Sequence, residues 1–108
     1  MNPNANEIQD LGDLKFTNRK KRTSGGGTWV CGTLHGHRFE ALVFPEHAEV
    51  ASYELGQSRI SKLHLRTITT HNPVACFDRG WDVMPINDAA QRIVGLLAAG
   101  LAETVYGK

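Results

Sequence analysis

The chain has 108 residues, with 12 Lys and Arg against 11 Asp and Glu, a formal charge of +1, 41% hydrophobic residues and 21% charged ones. That is one domain of ordinary size and average globular composition, which excludes a collagen-like repeat, a wholly disordered chain and a strongly basic nucleic-acid wrapper. The longest mostly apolar stretch, residues 93–102, falls far short of the roughly 20 residues that cross a bilayer, so no membrane partner is expected.

The opening Met1-Asn2-Pro3-Asn4-Ala5-Asn6-Glu7 has no basic start, apolar core or small-residue cleavage site, so it does not read as a secretory signal. Residues 1–13 lack an apolar period, and Thr23-Ser24-Gly25-Gly26-Gly27 reads as a flexible break. The expectation is a flexible tail over residues 1–27, carrying the basic cluster Arg19, Lys20, Lys21 and Arg22, with a short edge strand at Leu14-Lys15-Phe16-Thr17. A single domain over residues 28–108 follows.

That domain opens on Trp29-Val30-Cys31-Gly32-Thr33-Leu34, which suits a pleated strand. His35-Gly36 supplies a tight turn, and Arg38-Phe39-Glu40-Ala41-Leu42-Val43-Phe44 returns as the second arm of a hairpin, stopped by Pro45. Residues 46–52 read as a short helical turn or a connecting arm, and Leu55-Gly56-Gln57-Ser58 as a turn. A third strand over residues 59–68 places Leu63 and Leu65 on one face and Lys62, His64 and Arg66 on the other. After the turn His71-Asn72-Pro73, a fourth strand runs over residues 74–79 to Gly80.

The last segment predicts a helix. Asp88 with Gln91 fits a capping box, and Ala90, Ile93, Val94, Leu97, Leu101 and Val105 form one apolar stripe ending before Gly107. The predicted fold class is therefore α+β: an antiparallel meander of four to five strands, covered on one face by a C-terminal helix and open on the other.

Trp29-Val30-Cys31-Gly32, Arg59-Ile60-Ser61-Lys62-Leu63 and Asp78-Arg79-Gly80-Trp81-Asp82, followed by a helix, resemble a set of small bacterial and bacteriophage domains. Their pattern is a Trp-x-x-Gly hairpin, a Gly-Arg-Ile-Ser-Lys-Leu strand, an Asp-Arg-Gly-Trp-Asp corner and a terminal helix. The likeness covers residues 28–105. Gln57-Ser58 stand before Arg59, where that pattern carries glycine. The resemblance implies a compact domain associated with mobile elements, and no activity.

Four chemistries compete for the candidate residues. Lys62, His64 and Arg66 form a basic row, which with the arm Arg19, Lys20, Lys21 and Arg22 would suit a single nucleic-acid strand, Trp29 or Trp81 stacking on bases. Arg79 and Trp81 would grip an anion and stack on a ring; alternatively Asp78 or Asp82 pairs Arg79 while Trp81 plugs the helix–sheet junction. Residues 28–86 carry Arg38, Arg59, Lys62, Arg66 and Arg79 against Glu40, Glu46, Glu49, Glu54, Asp78 and Asp82, so no general positive field favours a polyanion. A metal would need more than His35-x-His37 with Cys31, and a nucleophile would need Cys31 to meet His35 or His37 and Asp78.

Two cysteines without a CxxC spacing suggest reduced, buried thiols in a cytoplasmic protein. The expected function is thus a non-catalytic binding domain of phage or mobile-element origin that uses an open sheet face or edge. Its partner would be another protein or a second copy; nucleic acid is the alternative, and a small metal or cysteine enzyme a further one. No cofactor is expected.

Overall fold

A computed structural model describes residues 13–107. Six strands follow one another in a meander: β1 (Lys15–Lys21), β2 (Thr28–Leu34), β3 (His37–Val43), β4 (Ile60–Thr67), β5 (Pro73–Asp78) and β6 (Trp81–Val83). They form one open antiparallel sheet in the order β1-β2-β3-β4-β5-β6. One helix, α1 (Asp88–Tyr106), completes the α+β fold.

Six strands stand where four to five were expected: the short edge strand expected at residues 14–17 is present but longer, and β6 is an addition. β1 runs through Arg19, Lys20 and Lys21, so the basic run lies in a strand paired to β2 and not in a tail. Its first residues carry the alternation expected of a short edge strand, but nothing in the polar run beyond Phe16 signals that the strand continues. The edge of β2 supplies the hydrogen-bonding template, with Arg19 opposite Val30 and Lys20 opposite Trp29. β6 is only three residues long, too short for a period to show. The tail expected over residues 1–12 lies outside the described residues.

Pairing sorts side chains onto two faces. Val30 faces Ala41, Ala41 faces Leu63 and Leu63 faces Phe77, one row on the helix side. With Leu34, Phe39, Val43 and Leu65 this row meets Ala90, Ile93, Val94, Leu97 and Leu101 of α1 in the core. Each fully buried Leu, Ile, Val or Phe contributes about 1.5–3 kcal/mol by leaving water, which explains why the predicted stripe sets the helix rotation. Among the described residues no α-helix covers the opposite face.

The helix ends are closed by local chemistry. Asn87, one residue before the predicted cap, accepts from the Ala90 N–H through its side chain at 2.8 Å, and Asp88 then lies in the first turn. At the other end Gly107 takes φ 74° and donates to Glu103 O. The β2–β3 turn has His35 at φ 48° and Gly36 at φ 78°, the twin positive values of a type I′ hairpin.

Candidate functional site

Alternation and register place Lys62, His64 and Arg66 together on the face away from α1. Across the strands the same face carries Lys20 opposite Trp29, Cys31 opposite Glu40, Glu40 opposite His64, His64 opposite Cys76, and Arg38 opposite Arg66. Lys15, opposite Thr33, joins them from β1. The face therefore holds Lys15, Lys20, Arg38, Lys62 and Arg66 against Glu40, Asp78 and Asp82. The cations spread over β1 to β4, while Asp78 and Asp82 sit at the β5–β6 edge.

In the middle of this face a shallow hollow is lined by Asn18, Cys31, Arg38, Glu40, His64 and Arg66. Arg66 Nη2 donates to His64 Nδ1 at 2.7 Å. A guanidinium has no acceptor, so His64 Nδ1 carries no proton there.

The other sequence candidates are dispersed. Arg19 points to the helix side, where its Nη2 donates to Val105 O at 2.7 Å and its guanidinium lies 5.2 Å from the Phe16 ring centre. Lys21, opposite Thr28, shares that side. Trp81 packs edge-on against Phe77, ring centres 5.2 Å apart, and borders the core as a junction plug would. His35 lies in the hairpin turn, away from Cys31 in mid-strand. Among the described residues no three His, Cys, Asp or Glu side chains group as a metal would need.

The surroundings of both thiols favour the protonated form. Burial, then Glu40, holds the Cys31 pKa above its ordinary value against a weaker pull from Arg38. Burial, then Asp82 and Asp78, raises that of Cys76. Thiol chemistry requires the thiolate, which these surroundings disfavour.

Arg22 and Arg79 meet elsewhere, at the end of the open face where β2 and β4 begin and β3 and β5 finish. A pocket of about 560 Å³ lies there, its lining including Arg22, Gly27, Phe44, Tyr53, Arg59, Lys62 and Arg79. Gly26 and Gly27 form one wall: with Gly25 before them they have φ between 75° and 86°, and a Cβ on Gly27 would press on Leu42 and Phe44 at 3.1 Å. The triple glycine is thus a shaped loop over Leu42, which is only 2% exposed although it faces away from the helix.

Residues 44–59 form the opposite wall, tied down by Glu54. Its carboxylate accepts from the Ala48 N–H at 2.6 Å, from His47 Nδ1 at 2.8 Å and from the Arg59 N–H at 3.4 Å. Burial pushes the Glu54 pKa up, the largest single influence. The three hydrogen bonds, together with the electrostatic pull of His47, outweigh it, and the carboxyl ends below its ordinary value.

Cations dominate the rim. The Arg22 guanidinium lies 5.7 Å from the Phe44 ring centre, and that of Arg79 5.8 Å from Tyr53. Arg22 Nε also donates to Gly26 O at 2.6 Å. Lys62 Nζ and Arg79 Nε share one carboxylate oxygen, Asp78 Oδ1, at 3.8 and 3.9 Å. Both separations exceed hydrogen-bond length. The individual residues were visible in the sequence, but their meeting was not: the pocket joins positions 22, 44, 59 and 79 through strand order alone.

A family model described as Domain of unknown function (DUF7678) matches residues 28–102. No curated protein and no solved structure matches the chain.

Proposed function

The chain belongs to the DUF7678 family, and from that premise we propose that it is a non-catalytic binding domain whose open sheet face takes single-stranded nucleic acid. The observation that carries this is the placement of β1: it brings Lys15 and Lys20 to the face that already holds Arg38, Lys62 and Arg66. Near-neutral overall charge concealed that concentration. Arg38 and Arg66 also stand directly opposite one another, an unfavourable like-charge pairing that an intervening phosphate relieves. Trp29, half-buried beside Lys20, offers a ring for a base.

In this reading the protein works in the cytoplasm, as the mobile-element association of its motifs suggests, and acts as a monomer or as a dimer joined along an exposed strand edge. No helix among the described residues is long and apolar enough to cross a membrane.

The test is fluorescence anisotropy of a labelled single-stranded oligonucleotide, titrated at several salt concentrations. Three to four phosphate contacts give a slope of about −2 to −3 in log affinity against log salt, because single strands release about 0.7 counterion per neutralised phosphate. Arg66→Glu weakens binding and flattens that slope. Salt-independent binding, or no binding while the purified protein self-associates through this face, overturns the reading in favour of a protein partner.

A further inference from the structure

We propose that the pocket between the glycine loop and residues 44–59 is a binding site for a phosphate monoester joined through a sugar to a planar base, the chemistry of a nucleotide. The ligand has two sources, a free mononucleotide or the phosphorylated end of a strand; only the second rests on the open-face reading above.

Charge gives the first argument. The lining carries Arg22, Arg59, Lys62 and Arg79 against Glu46 and Glu54. Glu54 accepts its three hydrogen bonds from the loop it belongs to. With Asp78 at the rim the cations still outnumber the carboxylates four to three, and a monoester, with close to two negative charges at neutral pH, is attracted by them more strongly than a singly charged diester. Asp78 holds Lys62 and Arg79 together from the rim without a hydrogen bond to either, so their N–H donors can turn to phosphate oxygens.

Shape gives the second. About 560 Å³ far exceeds what a phosphate fills, and the surplus is walled by Leu42, Phe44 and Tyr53. Tyr53 is 47% exposed and the Arg79 guanidinium lies over its ring, leaving an aromatic and a planar cation as stacking surfaces. The Glu54 clamp and the positive-φ glycines build both walls before any ligand arrives, which lowers the ordering cost of binding.

Calorimetric titration of the full chain with adenosine 5′-monophosphate and with adenosine tests the site. The monophosphate binds at least about tenfold more tightly than the nucleoside, the effect of one good charge-assisted contact. Arg79→Gln and Arg22→Gln each remove most of that difference, while Asp78→Asn, which deletes the competing carboxylate, tightens the monophosphate several-fold. Circular dichroism establishes that each variant is folded, and Asp78→Asn keeps the proposal exposed if the arginine variants are not.

Equal binding of nucleoside and monophosphate, or an Asp78→Asn variant that fails to tighten, overturns the proposal. Oligonucleotides with and without a 5′-phosphate separate the sources: a preference for the phosphorylated end, abolished by Arg79→Gln, assigns the strand end. Monophosphate binding with no oligonucleotide binding assigns the free nucleotide and defeats the open-face reading alone. Arg66→Glu, outside the pocket, leaves monophosphate affinity unchanged.

Discussion

The Tyr106 hydroxyl donates to the Val43 carbonyl at 2.8 Å and accepts from the Thr28 hydroxyl at 3.0 Å. Thr28 and Val43 are themselves a cross-strand pair, so one phenol ties the last turn of α1 to the start of β2 and the end of β3. These are also the strands that lead into the pocket. Tyr106→Phe keeps the ring and leaves Val43 O, beneath a fully buried residue, without that donor. The expected loss is about 1 kcal/mol, up to 2 if the carbonyl stays dry. Urea denaturation checks it: the midpoint falls and the slope is unchanged.

Lys20 and Lys21 are neighbours in sequence but point to opposite faces of β1, Lys20 beside Trp29 and Lys21 beside Thr28. A mobile basic tail would use both alike. A paired strand makes them unequal: Lys20→Glu weakens oligonucleotide binding and reduces the salt slope by about one phosphate's share, while Lys21→Glu has little effect. Anisotropy on the two single variants decides between the arrangements, and equal losses would show that β1 does not stay paired in solution.

Those two lysines also show where sequence reasoning stops. The β2–β3 hairpin was legible because alternation and the His35-Gly36 turn agree, and α1 because its stripe repeats at helical spacing. β1 carries no such period beyond Phe16: its residues are exposed on both faces, so no burial pattern selects apolar positions. It forms because β2 offers unpaired backbone groups, a nonlocal cause. The row Lys62, His64 and Arg66 was legible from period two, yet its electrostatic meaning depended on which strands lie beside it. The pocket was not legible at all, since Arg22 and Arg79 are joined only by the strand order. The Gly25-Gly26-Gly27 run reads as freedom in sequence, whereas in the fold its positive φ values define a wall.

Gly32 is required for a different reason from those three. It sits within β2, where an irregularity between Phe16 and Asn18 shifts the register of β1. A Cβ at this position would collide with the Lys15 carbonyl and press on the Phe39 ring at 3.0 Å. Backbone cannot give as a flexible side chain does, so Gly32→Ala costs more than about 2 kcal/mol or detaches β1. Gly36→Ala, with open space around it and φ 78°, costs about 1 kcal/mol through backbone strain alone. Hydrogen exchange separates the two: Gly32→Ala exposes β1 and β2 amides selectively, Gly36→Ala does not.

Burial and neighbouring carboxylates keep both thiols protonated above the ordinary value of 9.0. At pH 7.5 iodoacetamide therefore alkylates native Cys31 and Cys76 several-fold more slowly than it does glutathione, and urea removes the protection. Glu40→Gln speeds the reaction at Cys31 and leaves Cys76 unchanged, because Glu40 is the leading charge acting on Cys31 only. Mass spectrometry of the two labelled peptides reads this directly. Fast labelling of either thiol in the folded protein would favour the cysteine-enzyme alternative.

Glu54 gives the fold an acid-sensitive joint. Its carboxylate is buried, accepts three hydrogen bonds, and ionises below the ordinary value of 4.5. Because the native pKa is the lower one, folding favours the ionised form. The stabilisation is complete above the unfolded value and drains away as pH falls through the native value. Glu54→Gln therefore destabilises the domain by about 1–3 kcal/mol at neutral pH, the range for weakening a buried charge-assisted hydrogen-bond set. The difference from wild type shrinks below pH 4.5 and vanishes in stronger acid. Thermal denaturation from pH 3 to 7 measures it. A gap that stays constant across that range would mean that the neutral acid holds the 44–59 wall as well as the carboxylate, and that charge plays no part in closing the loop.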